Sequence, residues 1–404
     1  MKIVIIGQGY VGLSLAINAA RVNKVIGFDL DLEKIKSLKV GISYIEGVDS
    51  EEIRSSLGSG NYLPTGNTGD LSEADIYVIA VPTPLNQFRE PDLAFLKSAS
   101  QVVASSISKD CLVINESTSF PGTLRDLIKP VIESEIQGRF KVKYASSPER
   151  VDPGNSNWTH SNTARLISGM DTEATELARE FYGTFCENLY AVSSPEVAEL
   201  AKLFENTFRQ VNIALVNEFA KISNGLSISV SEVLDAANTK PFGFMKFTPG
   251  LGVGGHCIPV DPSYLSYISR KSGIDTEFID LANKVNLEMP RYVSSRVKSL
   301  LSGTLVGKKV LIVGVAYKSD VADTRESPSF ELLKILQNSG ADVYWHDDVV
   351  REWSGSLSTP LIGDFDAVIV AILHSSVDVN AILNISPLVF DCTGKIESTV
   401  VHRL

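Results

Sequence analysis

Gly7-Gln-Gly9-Tyr-Val-Gly12 follows the short β-branched run Lys2–Ile6, opens a helical stretch over Leu13–Arg21, and is followed by a second strand at Lys24–Phe28. A strand, a glycine turn, a helix and a strand in such close succession form a βαβ unit. The three glycines meet three steric needs. Gly7 permits the tight turn, Gly9 admits a pyrophosphate, and Gly12 lets helix and strand pack closely. The helix N-terminus then offers backbone N–H groups and a favourable dipole to the anion. Asp29 closes the second strand, where it accepts hydrogen bonds from ribose hydroxyls and repels a 2′-phosphate, so NAD is preferred to NADP. A Rossmann unit that binds another nucleotide, or none, is the competing reading.

Further strands are expected at Ile76–Val81, Cys111–Asn115, Lys141–Ala145 and Arg165–Ser168, closing a doubly wound sheet near Val192. Ile76–Val81 and Cys111–Asn115 are apolar enough to be parallel strands buried on both faces. From Glu196 to Asn224 the pattern changes to one long helix with Val197, Leu200, Ala201, Phe204, Phe208, Val211, Leu215, Phe219 and Ile222 at helical spacing. At 1.5 Å per residue it spans more than about 40 Å, which fits a bridge or subunit interface, or a buried interdomain helix. More helices are expected at Val230–Ala237, Pro262–Ser272 and Thr276–Leu301. A second α/β pattern starts at Lys308, with strands at Lys309–Val315, Ala341–Trp345, Ala367–Ala371 and Leu388–Asp391 and a helix at Phe330–Ser339. The fold class is therefore α/β: two Rossmann-like, doubly wound parallel-sheet domains joined by a helical middle domain with one long helix. The limits are 1–193, 194–303 and 304–404.

A chain of 404 residues needs two or three cores. Its net charge of −11 argues against a nucleic-acid partner, which demands a basic face. Cys111, Cys186, Cys257 and Cys392 are widely separated with no C-x-x-C spacing, so no disulfide framework and no metal site is expected, and a reducing cytoplasm fits. The N-terminus lacks the features of a signal peptide, and no apolar run of about 18 residues points to a membrane span.

The chemistry concentrates in Pro249-Gly-Leu-Gly-Val-Gly-Gly-His-Cys257-Ile-Pro-Val-Asp261. Glycines let backbone approach a bulky anionic ligand, and a thiol on such a loop is accessible. Thiolate is the reacting form, so a lowered pKa is expected for a nucleophile here. The bland alternative is a small buried hydrophobe. Thr83 and Thr118 each follow a strand of the first sheet, where ligands of open α/β sheets bind, or where a threonine simply caps a turn. Lys202 and Asn206 share one face of the long helix. Lysine there can stabilise a developing oxyanion, or flank the helix in solvent. Ser147-Pro-Glu149-Arg150-Val-Asp152-Pro-Gly154 reads as a rigid, charged turn. Lys318 and Arg325 lie on the loop after the first strand of the C-terminal unit, suited to an anionic ligand or balanced by Asp320, Asp323 and Glu326.

These segments occur in one order along roughly residues 1–395, and together they resemble the UDP-glucose/GDP-mannose dehydrogenase family, within it the UDP-N-acetylhexosamine 6-dehydrogenases. The resemblance implies an NAD-binding first domain, a dimerising middle and a C-terminal domain for the UDP group. It implies a homodimer or higher homo-oligomer acting on a UDP-sugar, whose C6 hydroxyl is oxidised to a carboxylate with two NAD consumed. Carried onto this chain, Cys257 attacks the aldehyde, Glu149 assists hydrolysis through water, Lys202 stabilises the oxyanion with Asn206 beside it, and Asp261 with Thr118 holds a water. The cofactor set it implies is Gly7, Gly9, Tyr10, Val11, Gly12, Asp29, Lys34, Thr83, Thr118 and Arg325. The substrate set adds Arg150, Val151, Phe247, Gly250, Gly254, Gly255 and Lys318 to Glu149, Lys202 and Asn206. UDP-glucose enzymes usually follow Ser-Pro-Glu with Phe-Leu, whereas here Arg150, Val151, Asp152, Pro153 and Gly154 follow, as in enzymes for N-acetylated sugars. Farther along that loop, Arg165 replaces a more usual lysine. UDP-glucose and UDP-N-acetylmannosamine are the rival substrates. Two-electron hydroxyacid and 6-phosphogluconate-type dehydrogenases need neither the cysteine nor a second α/β unit.

Overall fold

The computed structural model describes residues 1–45, 47–151, 157–159 and 161–404. The chain divides into two compact units, Met1–Glu205 with Ser263–Ser272, and Asn206–Pro262 with Gly273–Leu404. Asp152, Pro153 and Gly154 of the charged turn lie outside the described residues.

In the first unit the chain runs β1 (Lys2–Ile6), α1 (Tyr10–Ala20), β2 (Lys24–Phe28), α2 (Leu32–Lys39), α3 (Ser50–Gly58), β3 (Tyr62–Thr65), β4 (Ile76–Ile79), α4 (Ala94–Ser106) and β5 (Cys111–Asn115). It continues through α5 (Lys129–Ile136), β6 (Val142–Ser146), β7 (Arg165–Gly169), α6 (Thr172–Tyr182) and β8 (Leu189–Ala191). The strands order as β3-β2-β1-β4-β5-β6-β7-β8, so the chain reverses direction across the sheet between β1 and β4. A ligand crevice forms at such a switch point, beyond the strand carboxyl ends. Successive residues of β1 supply opposite faces. Ile3 and Ile5 join the core with α1, α3 and α6, while Val4 and Ile6 join the core with α4 and α5. Every pairing is parallel except β6 with β7. The physical reason is the connection: a parallel return needs a long crossover, usually a helix, and none lies between β6 and β7 among the described residues.

The long helix α7 (Pro195–Gly225) begins in the first unit. Its apolar stripe is largely exposed, with Leu200, Phe204, Phe208, Leu215 and Ile222 all open to solvent, while Glu199, Lys202, Gln210 and Asn217 on its other side are buried. In this chain the stripe is therefore not the face that packs inward.

The second unit continues with α8 (Val230–Asn238), then α9 (Asp261–Lys271), most of which belongs to the first unit, and α10 (Glu277–Leu300). Next come β9 (Lys309–Val313), α11 (Pro328–Asn338), β10 (Asp342–His346), the hairpin β11 (Glu352–Trp353) and β12 (Ser356–Leu357), β13 (Ala367–Val370), α12 (Val379–Asn384), β14 (Val389–Asp391) and β15 (His402–Arg403). Its five-stranded sheet orders as β10-β9-β13-β14-β15 with every pairing parallel, and the switch point falls between β9 and β13. Val310 and Ile312 pack on one face with Leu332 and Leu336 of α11, and Leu311 and Val313 pack on the other with Ile382 of α12. No helix among the described residues is long and apolar enough to cross a membrane.

Candidate active site

The glycine turn has the geometry its spacing predicts. Gly7 sits at φ +94°, and a Cβ on it would lie 2.4 Å from the Ala80 carbonyl oxygen. A Cβ on Gly12 would lie 1.9 Å from the Gly7 carbonyl oxygen, so neither position tolerates a side chain. Gly9, by contrast, faces open space, with no atom within 4 Å of where a Cβ would be. It precedes Tyr10 and Val11 at the start of α1, which carries no side-chain cap. A pyrophosphate fits that arrangement.

At the end of β2, the Asp29 carboxylate accepts hydrogen bonds from the backbone N–H of Gln8 at 2.8 Å and of Asp31 at 2.9 Å, and Lys34 Nζ stands 3.7 Å away. The carboxylate is thus held at the carboxyl end of β2, oriented by the turn it serves. Around it lie groups that the sequence pattern did not reveal. Gln8 is fully buried, Tyr44 Oη donates to its carbonyl at 2.5 Å and Tyr62 Oη to its side-chain oxygen at 2.7 Å. Burial, then the charges of Asp29 and Asp31, raise the Tyr44 phenol above its ordinary pKa, so it remains a donor. Thr83 is buried beyond β4, and its carbonyl accepts from Tyr264 Oη at 3.1 Å.

The loop after β5 brings Thr118 to α7, where Lys202 Nζ donates to Thr118 Oγ1 at 2.6 Å. One helical turn earlier, Glu199 reaches the same loop. Its carboxylate accepts from Ser119 Oγ at 3.2 Å, Gly122 N at 2.9 Å and Leu124 N at 3.4 Å. Burial outweighs these bonds and pushes the Glu199 carboxyl up to about 7.

Glu149 is equally constrained. Its Oε1 accepts from the backbone N–H groups of Arg150 and Val151, each at 2.7 Å, while its Oε2 receives Arg165 Nη2 at 2.6 Å. Arg165 is buried and gives Nη1 to Glu116 Oε1 at 2.8 Å, with its guanidinium carbon 4.6 Å from the Tyr182 ring centre. Burial opposes the arginine charge, but Glu116 and then Glu149 hold it protonated. The arginine at this position thus grips the two carboxylates with separate nitrogens, a geometry lysine cannot reproduce. Arg150 turns away to Glu205 at 2.6 Å and to the Ala164 carbonyl at 2.7 Å.

In the second unit, the loop before Cys257 is packed against backbone at several points. Gly250 N donates to Asn217 Oδ1 at 2.9 Å, and Asn217 Nδ2 donates to Asn286 Oδ1 at 3.0 Å. A Cβ on Gly254 would lie 2.9 Å from both the Glu326 carbonyl oxygen and Tyr317 Cβ. Gly255, at φ +85°, donates to the Arg325 carbonyl at 3.0 Å, and a Cβ there would lie 2.7 Å from the Tyr317 ring. Cys257 is exposed, whereas Cys111, Cys186 and Cys392 are buried. Burial pushes the Cys186 thiol up to about 11 and the Cys111 thiol up to about 12, so neither is a ready nucleophile. The Cys257 carbonyl accepts from Asp261 N at 2.8 Å, which turns the chain into α9, and Asp261 Oδ2 receives Asn206 Nδ2 at 2.6 Å. Phe247 packs edge-on to Phe208, ring centres 6.0 Å apart. Lys318 is half-buried on the loop after β9, and Arg325 is gripped by Asp323 through contacts of 2.5–3.0 Å.

The structure thus brings Lys202 together with Thr118, Asn206 with Asp261, and Glu149 with Arg150 and Val151. A glycine-built dinucleotide turn, a second parallel α/β unit and one exposed thiol define a nucleotide-dependent dehydrogenase. The NAD binding domain of the UDP-glucose/GDP-mannose dehydrogenase family matches residues 1–186, its central domain 196–288 and its UDP binding domain 311–397. The chain is 35% identical to a UDP-N-acetyl-D-glucosamine 6-dehydrogenase of Pseudomonas aeruginosa, over 93% of this chain and 91% of that one. It is also 35% identical to a UDP-N-acetyl-D-mannosamine dehydrogenase of Pyrococcus horikoshii, over 93% and 90% of the two chains. The solved structure of a UDP-D-ManNAc dehydrogenase from Pyrococcus horikoshii superposes with a TM-score of 0.92 at 31% identity, covering 100% of this chain and 99% of that one. The chain belongs to the UDP-glucose/GDP-mannose dehydrogenase family. It is an NAD-dependent UDP-sugar dehydrogenase.

Two buried ionisable side chains, Glu199 and Arg165, generate predictions. A carboxyl held at about 7 rather than 4.5 costs the fold about 3 kcal/mol once it ionises, a cost absent below pH 4.5 and complete above pH 7. Glutamine does not titrate, so the stability of Glu199→Gln relative to the parent rises by up to about 3 kcal/mol between these limits. Urea unfolding at pH 5 and pH 8 measures it, and a pH-independent difference contradicts the assignment. Arg165→Met leaves Glu116 and Glu149 buried without their cation and lowers stability by roughly 3–5 kcal/mol, read from thermal unfolding.

Proposed function

We propose that the substrate is a UDP-N-acetylhexosamine, UDP-N-acetylglucosamine first, oxidised at C6 to the uronate through covalent intermediates on Cys257. NAD, when bound, accepts a hydride in each of the two oxidations. The first converts the C6 alcohol to an aldehyde. Cys257 sulfur then adds to the aldehyde carbon, forming the C–S bond of a thiohemiacetal. Loss of the second hydride and a proton gives the thioester, and water cleaves its C–S bond to release the carboxylate and return the thiol. In total one alcohol, one water and two NAD yield one carboxylate, two NADH and three protons. The observation that carries this reading is that Cys257 is the exposed member of four cysteines, on a loop where Gly254 and Gly255 pack too closely against Tyr317 to carry a side chain.

Lys202 serves the oxyanion at C6. Its ammonium already donates to a hydroxyl, that of Thr118, which marks where an oxygen is accepted. Asn206 and Asp261 form a hydrogen-bonded pair suited to orienting the attacking water. Glu149 assists hydrolysis, with its second oxygen held by Arg165. Arg150, Val151, Phe247, Gly250, Gly254, Gly255 and Lys318 receive the nucleotide sugar, and Arg325 the cofactor phosphates. The middle segment, residues 194–303, dimerises between nucleotide-binding segments 1–193 and 304–404. The exposed apolar stripe of α7 supports that reading. A second reading, UDP-N-acetylmannosamine as substrate, is favoured by the relatives that carry that name at equal identity.

NADH formation over a panel of UDP-sugars tests the substrate. The proposal expects kcat/KM at least tenfold higher for UDP-N-acetylglucosamine than for UDP-glucose. A preference for UDP-glucose overturns the N-acetyl assignment. Cys257→Ala should abolish uronate formation, and a variant turning over at the parent's rate rules out the covalent route. Light scattering should give twice the chain mass of 43.8 kDa or a multiple of it, and a monomer returns α7 to an internal role.

A further inference from the structure

Three loops leave the carboxyl ends of β9, β10 and β13 in the second unit, and one buried carboxylate ties them together. Asp347, directly after β10, accepts Val315 N at 2.8 Å and Ala316 N at 3.2 Å on Oδ2, and Val349 N and Val350 N at 2.9 Å each on Oδ1. His374, on the loop after β13, places Nε2 at 3.0 Å from the same Oδ2, and both side chains are fully buried. Burial raises the Asp347 carboxyl, but the His374 bond and the Val350 and Val315 amides outweigh it and hold it ionised, at about 2. An ionised carboxylate only accepts, so Nε2 carries a proton.

The other ring nitrogen is assigned just as firmly. Asp320 N donates to His374 Nδ1 at 2.8 Å, which requires Nδ1 to be bare. Asp320 itself sits at φ +62°, and its carboxylate accepts Ser375 N at 2.7 Å and Ser375 Oγ at 2.9 Å. The segment Val315–Asp320 is thereby pinned at one end by Asp347 and at the other by His374. Between the pins lie Tyr317, whose ring closes on Gly255 two residues before Cys257, and Lys318.

We propose that His374, bonded through Nε2 to Asp347 and through Nδ1 to Asp320 N, is a positioning residue that fixes the Val315–Asp320 segment so that Tyr317 and Lys318 are set for the nucleotide sugar. The inference rests on the role given to Lys318 above. Two variants of the full-length enzyme separate its two contacts. Gln at this position reaches Asp347 with a donor but lacks the acceptor for Asp320 N. Asn keeps an acceptor at the Nδ1 position and leaves Asp347 without its ring donor. His374→Gln should unfold near the parent's temperature yet raise KM for the UDP-sugar at least tenfold, with KM for NAD within twofold. It should also speed iodoacetamide alkylation of Cys257 at least threefold, read by peptide mass spectrometry. His374→Asn should lose thermal stability while keeping that KM within threefold of the parent. Equal rises in both KM values, or a His374→Gln enzyme with the parent's KM and alkylation rate, overturn the inference. A parent that oxidises no UDP-sugar defeats the functional reading by itself. The same two variants then carry the comparison through UDP affinity measured by calorimetry, and equal affinities overturn the positioning role.

Discussion

Backbone approaching without side chains is the constraint on which the rest of this enzyme depends. At Gly12 a methyl group would collide with the turn that precedes it, and at Gly255 it would enter the ring of Tyr317. The first close approach sets helix α1 against β1 and leaves space at Gly9 for a pyrophosphate. The second brings the loop after β9 onto the chain beside Cys257. In both places glycine makes possible a contact between main chain and a neighbouring group that any other residue would hold apart.

Around these backbone contacts the protein has buried charges rather than leaving them in solvent. Arg165 between Glu116 and Glu149, Glu199 under the Ser119–Leu124 loop, and Asp347 under three βα loops each satisfy several donors or acceptors from distant parts of the chain. Buried charges of this kind are costly unless fully partnered. Their value lies in geometry, since each fixes a segment that carries a residue given a role in the proposed reaction. Arg165 holds Glu149, Glu199 steadies the loop next to Thr118, and Asp347 fixes one end of the segment bearing Lys318.

Much of this was legible in the sequence, because its signals were local. The glycine spacing with Asp29 at the end of β2 located the dinucleotide turn, and the apolar runs located β1, β2 and β5 to the residue. The Cys257 segment announced itself through its glycines. The short strand β3 escaped notice because Tyr62–Thr65 contains a proline and lacks a sustained apolar run. The direction of β7 depends on how the chain returns, which residue patterns do not encode. Arg165 read as a mere departure from lysine because its partners lie 49 and 16 residues away, and Glu199 joins amides 75 and 77 residues distant. The apolar stripe of α7 was visible, yet spacing alone could not say that it faces outward.

The central claim is that a single thiol carries the sugar between two oxidations. Counting NADH released per UDP-sugar consumed, with acid-quenched samples examined by peptide mass spectrometry, tests it directly. The account predicts two NADH per sugar and a nucleotide-sugar adduct on the Cys257 peptide during turnover. One NADH per sugar, with that peptide unmodified throughout, would contradict it.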